Sequence, residues 1–452
     1  MAEIEGKLTA GPIPAVLTRL SLPIVAAAFL STAYSITDMA WIGLLGGEIL
    51  AGVGVGSMYV WLSQGLSTLT KMGGQVLAGQ ELGRGDRENA RLYATAAIQL
   101  TILFGVLFGG VCLIFTEPMV AFFGLEDPAA VSAANIYLRI TCGLIVFSYL
   151  GQVLTGIYTA QGDSRTPLKA SFIGLALNMI LDPLLMFGVG PFPRMGTLGA
   201  AMATVLAQMI VVSVLVRGIH SDKYCDNILK KAGILQKLEI HHIKQVLRMG
   251  GPSAIQGTVY CGISMLLSRM AAQFGDAAIA VLRVGGQIES VTWNIANGFS
   301  AAMNAFAAQN YGAKKMNRVK EGYKISFWIV VAWSLFITIL FFLFPQQISS
   351  VFFHTPEEIL LSARYLVIIG VGEVFMCVEL LSVGAISGLG NTKLCSQISI
   401  TLTVLRIPLA FLLCRSTLGV DGLFWALTIS SILKGITFYF AFYKECRRKE
   451  NW

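Results

Sequence analysis

The chain reads as an all-α integral membrane protein of twelve transmembrane helices in two pseudo-symmetric six-helix lobes, and three observations predict this. The 452 residues are 55% hydrophobic and only 13% charged, with a mean hydropathy of +0.70, far from a soluble average. The hydrophobicity falls into runs of roughly 20 residues, the length needed to cross the hydrocarbon of a bilayer. The chain also repeats itself: at one fixed offset Pro23 meets Pro252, Gly46 meets Gly275, Ala51 meets Ala280, Ala78 meets Ala307, Gln80 meets Gln309 and Gly83 meets Gly312. With small gaps the segment from Gly156 to Gly162 meets that from Gly384 to Gly390. In a membrane protein such parallel repeats place a pathway between halves that rock against each other.

Taken along the chain, the spans of the first half centre near residues 30, 60, 104, 146, 178 and 207, each about 20 residues long. The third is the plainest, since Leu92 to Thr116 holds no charged side chain. Residues 1–218 are expected to form the N-terminal lobe. A polar interruption follows, and in 219–245 Ile228, Leu229, Ile234, Leu235, Leu238 and Ile243 recur among lysines, with Val246 continuing the pattern at near-helical spacing. This predicts an amphipathic cytoplasmic linker between the lobes. Residues 246–452 form the C-terminal lobe, with spans centred near 260, 291, 333, 372, 404 and 431, again about 20 residues each.

Orientation follows from where lysine and arginine lie. Of 33 basic residues, 25 fall on one side: in the N-terminal segment, the even-numbered connections and the tail from Lys444 to Lys449. The opposite loops are poor in them, and Thr116 to Ala130 carries Glu117, Glu126 and Asp127 with no base. Both termini are therefore expected in the cytoplasm, in a multi-pass cell (inner) membrane protein. The first residues contain Glu3 and Glu5 and lack a small-residue cleavage site, which argues against a signal peptide. The net charge of +8 is explained by this topology and by contact with membrane lipids rather than with nucleic acid. Eight cysteines, among them Cys112, Cys142, Cys261 and Cys377, show no CxxC spacing, so neither a disulfide framework nor a metal site is expected.

An ionisable side chain inside a span costs at least about 2.5 kcal/mol on insertion scales, so each one needs a reason. The first half offers Asp38 and Asp182; Asp182 follows Asn178 by four residues on one helix face, and Pro183 interrupts the backbone ladder beside it. A freed carbonyl near a carboxylate makes a niche for a cation or proton. The second half offers Arg283, Glu289, Glu373, Glu379, Arg406 and Lys434. Of these, Glu289, Glu379 and Arg283 are candidates for second-lobe coupling or substrate contact, whereas Glu373 and Lys434 are expected to pair locally or sit less centrally. No HExxH, GxSxG or intramembrane histidine is present, so an enzyme is not expected.

Leu22-Pro-Ile, the outer-half Asp38, Gln161-Gly-Asp-Ser-Arg-Thr-Pro167, Asn178-Met-Ile-Leu-Asp-Pro183, Gly199-Ala-Ala-Met-Ala-Thr204 and Ala308-Gln-Asn-Tyr-Gly312, in this order, resemble the multidrug and toxic compound extrusion (MATE) family over nearly the whole chain. The resemblance implies a secondary exporter of small-molecule lipophilic cations, working as a monomer without a cofactor and driven by H⁺ or Na⁺. It implies cation-coupling roles for Asp38, Asn178, Asp182 and Thr204, with Na⁺ as one possible ion at Asp38, Asn178 and Asp182, and a conformational hinge at Pro23. One departure is that the seventh span, Met249 to Ala272, lacks the acid that many members with a second-half cation site carry. The alternative is a flippase for a lipid-linked saccharide of the same superfamily, which calls for a basic central cavity.

Overall fold

Long apolar runs closed by glycine or proline turns give a chain that is nearly all helical among its described residues. The computed structural model describes residues 8–188, 193–220, 227–231, 236 and 239–450. In order these are α1 (Ile13–Gly43), α2 (Gly47–Arg84), α3 (Arg87–Ile114), a short α4 (Thr116–Ala121), α5 (Pro128–Gly143), α6 (Val146–Ala160), α7 (Arg165–Phe187) and α8 (Thr197–Ile219). The second half holds α9 (Ile240–Ala272), α10 (Asp276–Gly312), α11 (Met316–Leu343), a short α12 (Pro345–Ser350), α13 (Pro356–Gly388), α14 (Thr392–Val404), α15 (Arg406–Cys414) and α16 (Val420–Glu450). All twelve expected span centres fall inside helices. Among the described residues nine helices are long and apolar enough to cross a membrane, or ten when α5 and α6, bent by 43°, count as one span. The expected seventh and eighth spans, α9 and α10, are of ample length but are not among the nine. Both carry polar residues, such as Arg283, Glu289, Asn294 and Asn304 in α10.

The repeat is built into the backbone. Gly46 and Gly275 precede α2 and α10 with φ of 126° and 96°, and Gly162 and Gly390 have φ of 88° and 87°. These are conformations that a side chain disfavours, which explains glycine at equivalent places in both halves. A second repeated pair concerns packing. A Cβ on Gly56 would meet Tyr137 Cδ1 at 3.0 Å, and one on Gly285 would collide with the Tyr365 ring, so in each half a glycine lets a tyrosine approach a helix closely.

The chain divides into two compact units whose borders differ from those expected at 218 and 246. Among the described residues, unit 1 holds those from Ala26 to Ala254, and unit 2 holds Leu8–Val25 with those from Ile255 onward. The divisions fall inside α1 and α9, in each case two residues after a proline within the helix, Pro23 and Pro252. Each proline lacks an N–H and deprives the carbonyl four residues earlier of its bond, so both helices are weakened where they change units.

Unit 1 has its core where Leu77, Ala94, Ala97, Val153, Ile157, Leu215 and Val246 meet. The first part of α9 is seated there closely: a Cβ on Gly73 would run into the backbone of Val246, and one on Gly250 into that of Leu69. Unit 2 packs Leu17, Leu20, Phe306, Tyr323, Leu381, Ile386, Phe438 and Phe442. Residues ahead of α1 are strapped to it, with Leu8 N–H donating to Gln309 Oε1 at 3.0 Å and Asn310 Nδ2 donating to Leu8 O at 3.2 Å.

The amphipathic linker expected over 219–245 falls only in part on described residues. Its described part is a 3-10 turn, Ile228–Lys231, followed by the start of α9 at Ile240. Ile228 and Leu229 are buried in the unit 1 core, held by Gln161 Oε1, which accepts from Ile228 N–H, and Asn227 Oδ1, which accepts from Leu229 N–H. Side-chain caps therefore fix these two residues against protein rather than a membrane surface. Ile234, Leu235 and Leu238 lie outside the described residues.

Candidate functional site

In unit 1 four helices converge on one buried polar group. The four-residue spacing in α7 stacks Asn178 over Asp182, and Asn178 Nδ2 donates to Asp182 Oδ1 at 3.3 Å. Both are enclosed, at 1% and 0% exposure. Pro183, inside α7, leaves the Met179 carbonyl without its helical donor. From α1 the half-buried Asp38 brings its carboxylate within reach of that of Asp182. One turn earlier, Tyr34 lies 3.4 Å from Thr204 Oγ1 of α8. Because Thr204 donates its own proton to Ala200 O at 3.0 Å, the Tyr34 hydroxyl is the donor in that pair. Tyr137 of α5 completes the group.

The sequence-predicted set of Asp38, Asn178, Asp182 and Thr204 is thus brought together. Tyr34 and Tyr137 were missed. The available signal for Tyr34 was its position four residues before Asp38, and for Tyr137 its place opposite Tyr365 in the repeat. Pro23 lies in the unit 2 part of α1, well along the helix from this group.

Three oxygens here lack a hydrogen-bond donor: Asp38 Oδ1, Asn178 Oδ1 and Asp182 Oδ2. A buried acceptor left without a partner costs about 1–3 kcal/mol, and more when charged. Two facing carboxylates also repel unless something positive lies between them. A proton shared by the pair, or a Na⁺ taking the three oxygens as ligands, removes both penalties. No group of three or more histidine, cysteine or acidic side chains suited to a heavier metal occurs among the described residues.

Unit 2 holds a second acid cluster on different helices. Glu289 of α10 accepts from the Tyr365 hydroxyl of α13 at 3.1 Å. Glu373, also of α13, is 1% exposed and near Glu289, with the Thr292 hydroxyl beside it. Glu373 was expected to pair locally or sit away from the centre. Instead it is buried beside Glu289, because one face of α13 carries Tyr365 and Glu373 two turns apart. Glu379 is engaged otherwise: Lys434 Nζ donates to its Oε1 at 3.2 Å in a buried ion pair. Arg283 is exposed and enters no ion pair among the described residues.

These features define a multi-pass, all-helical membrane protein of two repeated halves, each with its own buried acid cluster. The profile of the MatE family matches residues 23–184 and again 252–412, beginning at the two repeated prolines. The chain therefore belongs to the MatE family. Among curated proteins it is similar to the probable multidrug resistance protein NorM of Thermotoga maritima, at 27% identity over 88% of this chain and 85% of the other. It is also similar to an FAD transporter of Shewanella oneidensis, at 25% identity over 99% of this chain and 98% of the other. Among solved structures, a MOP superfamily transporter from Pyrococcus furiosus superposes with a TM-score of 0.90 over 99% of both chains at 21% identity, which establishes the shared fold.

Proposed function

We propose that the protein is a secondary active antiporter of the inner membrane, both termini cytoplasmic, that exports lipophilic organic cations in exchange for H⁺ or Na⁺. The observation that carries this reading is the Asp38 and Asp182 carboxylate pair, with one oxygen of each and the Asn178 amide oxygen left without a donor among the described residues. In the outward-open state the pair takes up the coupling ion. The charge that held the organic cation is cancelled, and that cation leaves. On the inside the ion departs and the pair is again free to hold a cation. One charge moved through 100 mV is worth about 2.3 kcal/mol, enough for roughly a fifty-fold gradient, so one ion per cycle suffices for useful export.

In unit 2, Glu289 with Glu373 is the candidate for a second coupling site; Glu379 gives way to Glu373 because Lys434 already neutralises it. The flippase alternative calls for clustered intramembrane bases. Against it, Lys434 is ion-paired, Arg283 is exposed and Arg406 is bonded to two serines.

The test is transport of a fluorescent lipophilic cation in proteoliposomes under a pH gradient or a Na⁺ gradient alone. One gradient is expected to drive wild-type transport, and Asp38→Asn is expected to abolish it while leaving the protein folded. Undiminished ion-driven transport by that variant would remove Asp38 from the mechanism. Because one relative is named an FAD transporter, FAD is included as a competitor, and its transport in place of the dye would replace the substrate class.

A further inference from the structure

Two successive helices of unit 2 have outward faces of opposite character. On α11 the outward side chains include Trp328, Leu335, Phe336 and Ile339, at 61%, 47%, 52% and 53% exposure, as a face in lipid should be. On α10 the outward face is polar. Arg283, Gln287, Ser290, Asn294 and Asn297 recur at intervals of four and three residues, which puts all five within an arc of about 80° along about 21 Å of helix. Arg283 and Gln287 are exposed, Ser290 and Asn297 half-buried and Asn294 buried, whereas the opposite side carries the buried Ala278, Val281, Gly285 and Ala296. Hydrocarbon is about 30 Å thick, so the strip covers most of it. Side chains as short as those of Ser290 and Asn297 do not extend from there to the headgroups. This face therefore meets water or a polar guest rather than acyl chains.

Two further observations favour a guest. Among the described residues the strip is unfilled: Asn297 Nδ2 has no acceptor, Arg283 has no ion pair, and a Cβ on Gly286, beside Gln287, would meet nothing within 4 Å. Nor does the repeated fold demand polarity here. At the fixed offset of the repeat the five residues meet Gly54, Met58, Trp61, Gly65 and Thr68, and Met58 and Trp61 are 49% and 57% exposed. The charge on the strip is positive. Glu289 lies about 120° round the helix from its centre and is engaged by the Tyr365 hydroxyl at 3.1 Å. The Arg283 guanidinium is a planar fork suited to a carboxylate. Ser290, whose proton goes to Gln287 O at 2.6 Å, accepts, and the amides of Gln287 and Asn297 both donate and accept.

We propose that this face of α10 is a substrate-binding strip that selects compounds bearing a carboxylate in addition to their cationic group. Arg283 pairs with the carboxylate, and Gln287, Ser290 and Asn297 bond the polar atoms that follow it along the helix. The strip narrows the substrate class of the export reading above, on which it rests, from lipophilic cations in general to zwitterions.

The experiment measures binding of one cationic rhodamine, as its free carboxylic acid and as its methyl ester, to detergent-purified protein by fluorescence polarisation. The two dyes share a chromophore and differ in the carboxylate. Wild type is expected to bind the acid more tightly than the ester. Arg283→Gln is expected to weaken binding of the acid by roughly ten-fold and to leave the ester unchanged, and Arg283→Lys to recover part of the loss. No binding, equal affinity of wild type for acid and ester, or an Arg283→Gln effect that is absent or the same for both dyes overturns the proposal. A second measurement needs no dye. In proteoliposomes with a membrane-impermeant maleimide on both sides, Ser290→Cys is expected to gain labelling over wild type, and Leu335→Cys on the lipid face of α11 to gain none. No gain at Ser290→Cys puts the strip in lipid and also overturns the proposal. If the binding pattern holds but neither a pH nor a Na⁺ gradient drives either dye across the membrane, it is the export reading that fails.

Discussion

Asp182 is enclosed with one carboxylate oxygen bonded to Asn178 and the other bare, so on the proposed mechanism the bare oxygen and Asp38 receive the coupling ion. Tyr34 touches the group at one remove, its hydroxyl donating to Thr204 Oγ1 at 3.4 Å. A neutral hydrogen bond contributes about 1 kcal/mol net, so Tyr34→Phe is expected to weaken coupling-ion affinity by about five-fold, in contrast to the complete loss in Asp38→Asn. The half-saturating ion concentration for dye transport measures it; a loss as complete as that of Asp38→Asn would place Tyr34 in direct contact with the ion. The acids and Asn178 were legible because charge within a span is expensive and a four-residue spacing puts two side chains on one face. Tyr34 and Tyr137 were not, because a tyrosine in an aromatic-rich membrane chain has many ordinary uses. Glu373 was illegible for another reason. Burial of an acid beside a second acid depends on how α10 and α13 pack, and no local pattern records that.

At the scale of the element, the junction of α2 and α3 shows how a tight turn between spans is fixed. Gly85 closes α2 with φ of 85°, its N–H donating to Leu82 O at 3.2 Å, while the next N–H, that of Asp86, reaches Glu81 O at 3.0 Å. Asp86 then caps α3, its Oδ1 accepting from Asn89 N–H at 3.0 Å and its Oδ2 from Asn89 Nδ2 at 2.7 Å. At the equivalent place in the second half stands Lys314, with φ of 58° the one described non-glycine residue at positive φ. The Asn89 N–H and then its side chain hold the Asp86 carboxyl below the usual aspartate range. A group whose folded value is depressed stabilises the fold above its unfolded value, near pH 4, and loses that contribution as pH falls through the folded one. Asp86→Ala is therefore expected to lower stability by about 1 kcal/mol at neutral pH. Thermal unfolding in detergent should show the gap between wild type and variant closing below about pH 4; a gap independent of pH would mean that the charge is not what caps the helix.

For the whole molecule, the repeat made two similar halves legible, but their borders were not, because a hydropathy profile cannot show that a helix begins in one unit and ends in the other. The exchange is reciprocal, since α1 gives its first part to unit 2 and α9 gives its first part to unit 1. Each donated part meets a glycine: Gly298 of α10 faces Val25, and Gly73 of α2 faces Val246. Those faces are shaped for a helix, and without one they expose backbone and small side chains that lipid fills poorly. A fragment that ends within the expected linker, before α9, should therefore be incomplete. Expressed alone, residues 1–232 are expected to be cleared by proteolysis, and residues 1–256, which include the unit 1 part of α9, to accumulate several-fold more. Co-expression of 1–232 with 233–452 is expected to restore both pieces as a co-purifying pair, because the second fragment supplies the missing helix in trans. Membrane levels of each fragment, followed by tags at both ends, measure this. Equal accumulation of 1–232 and 1–256 would mean that the first lobe closes without α9, and that the exchange contributes little to its stability.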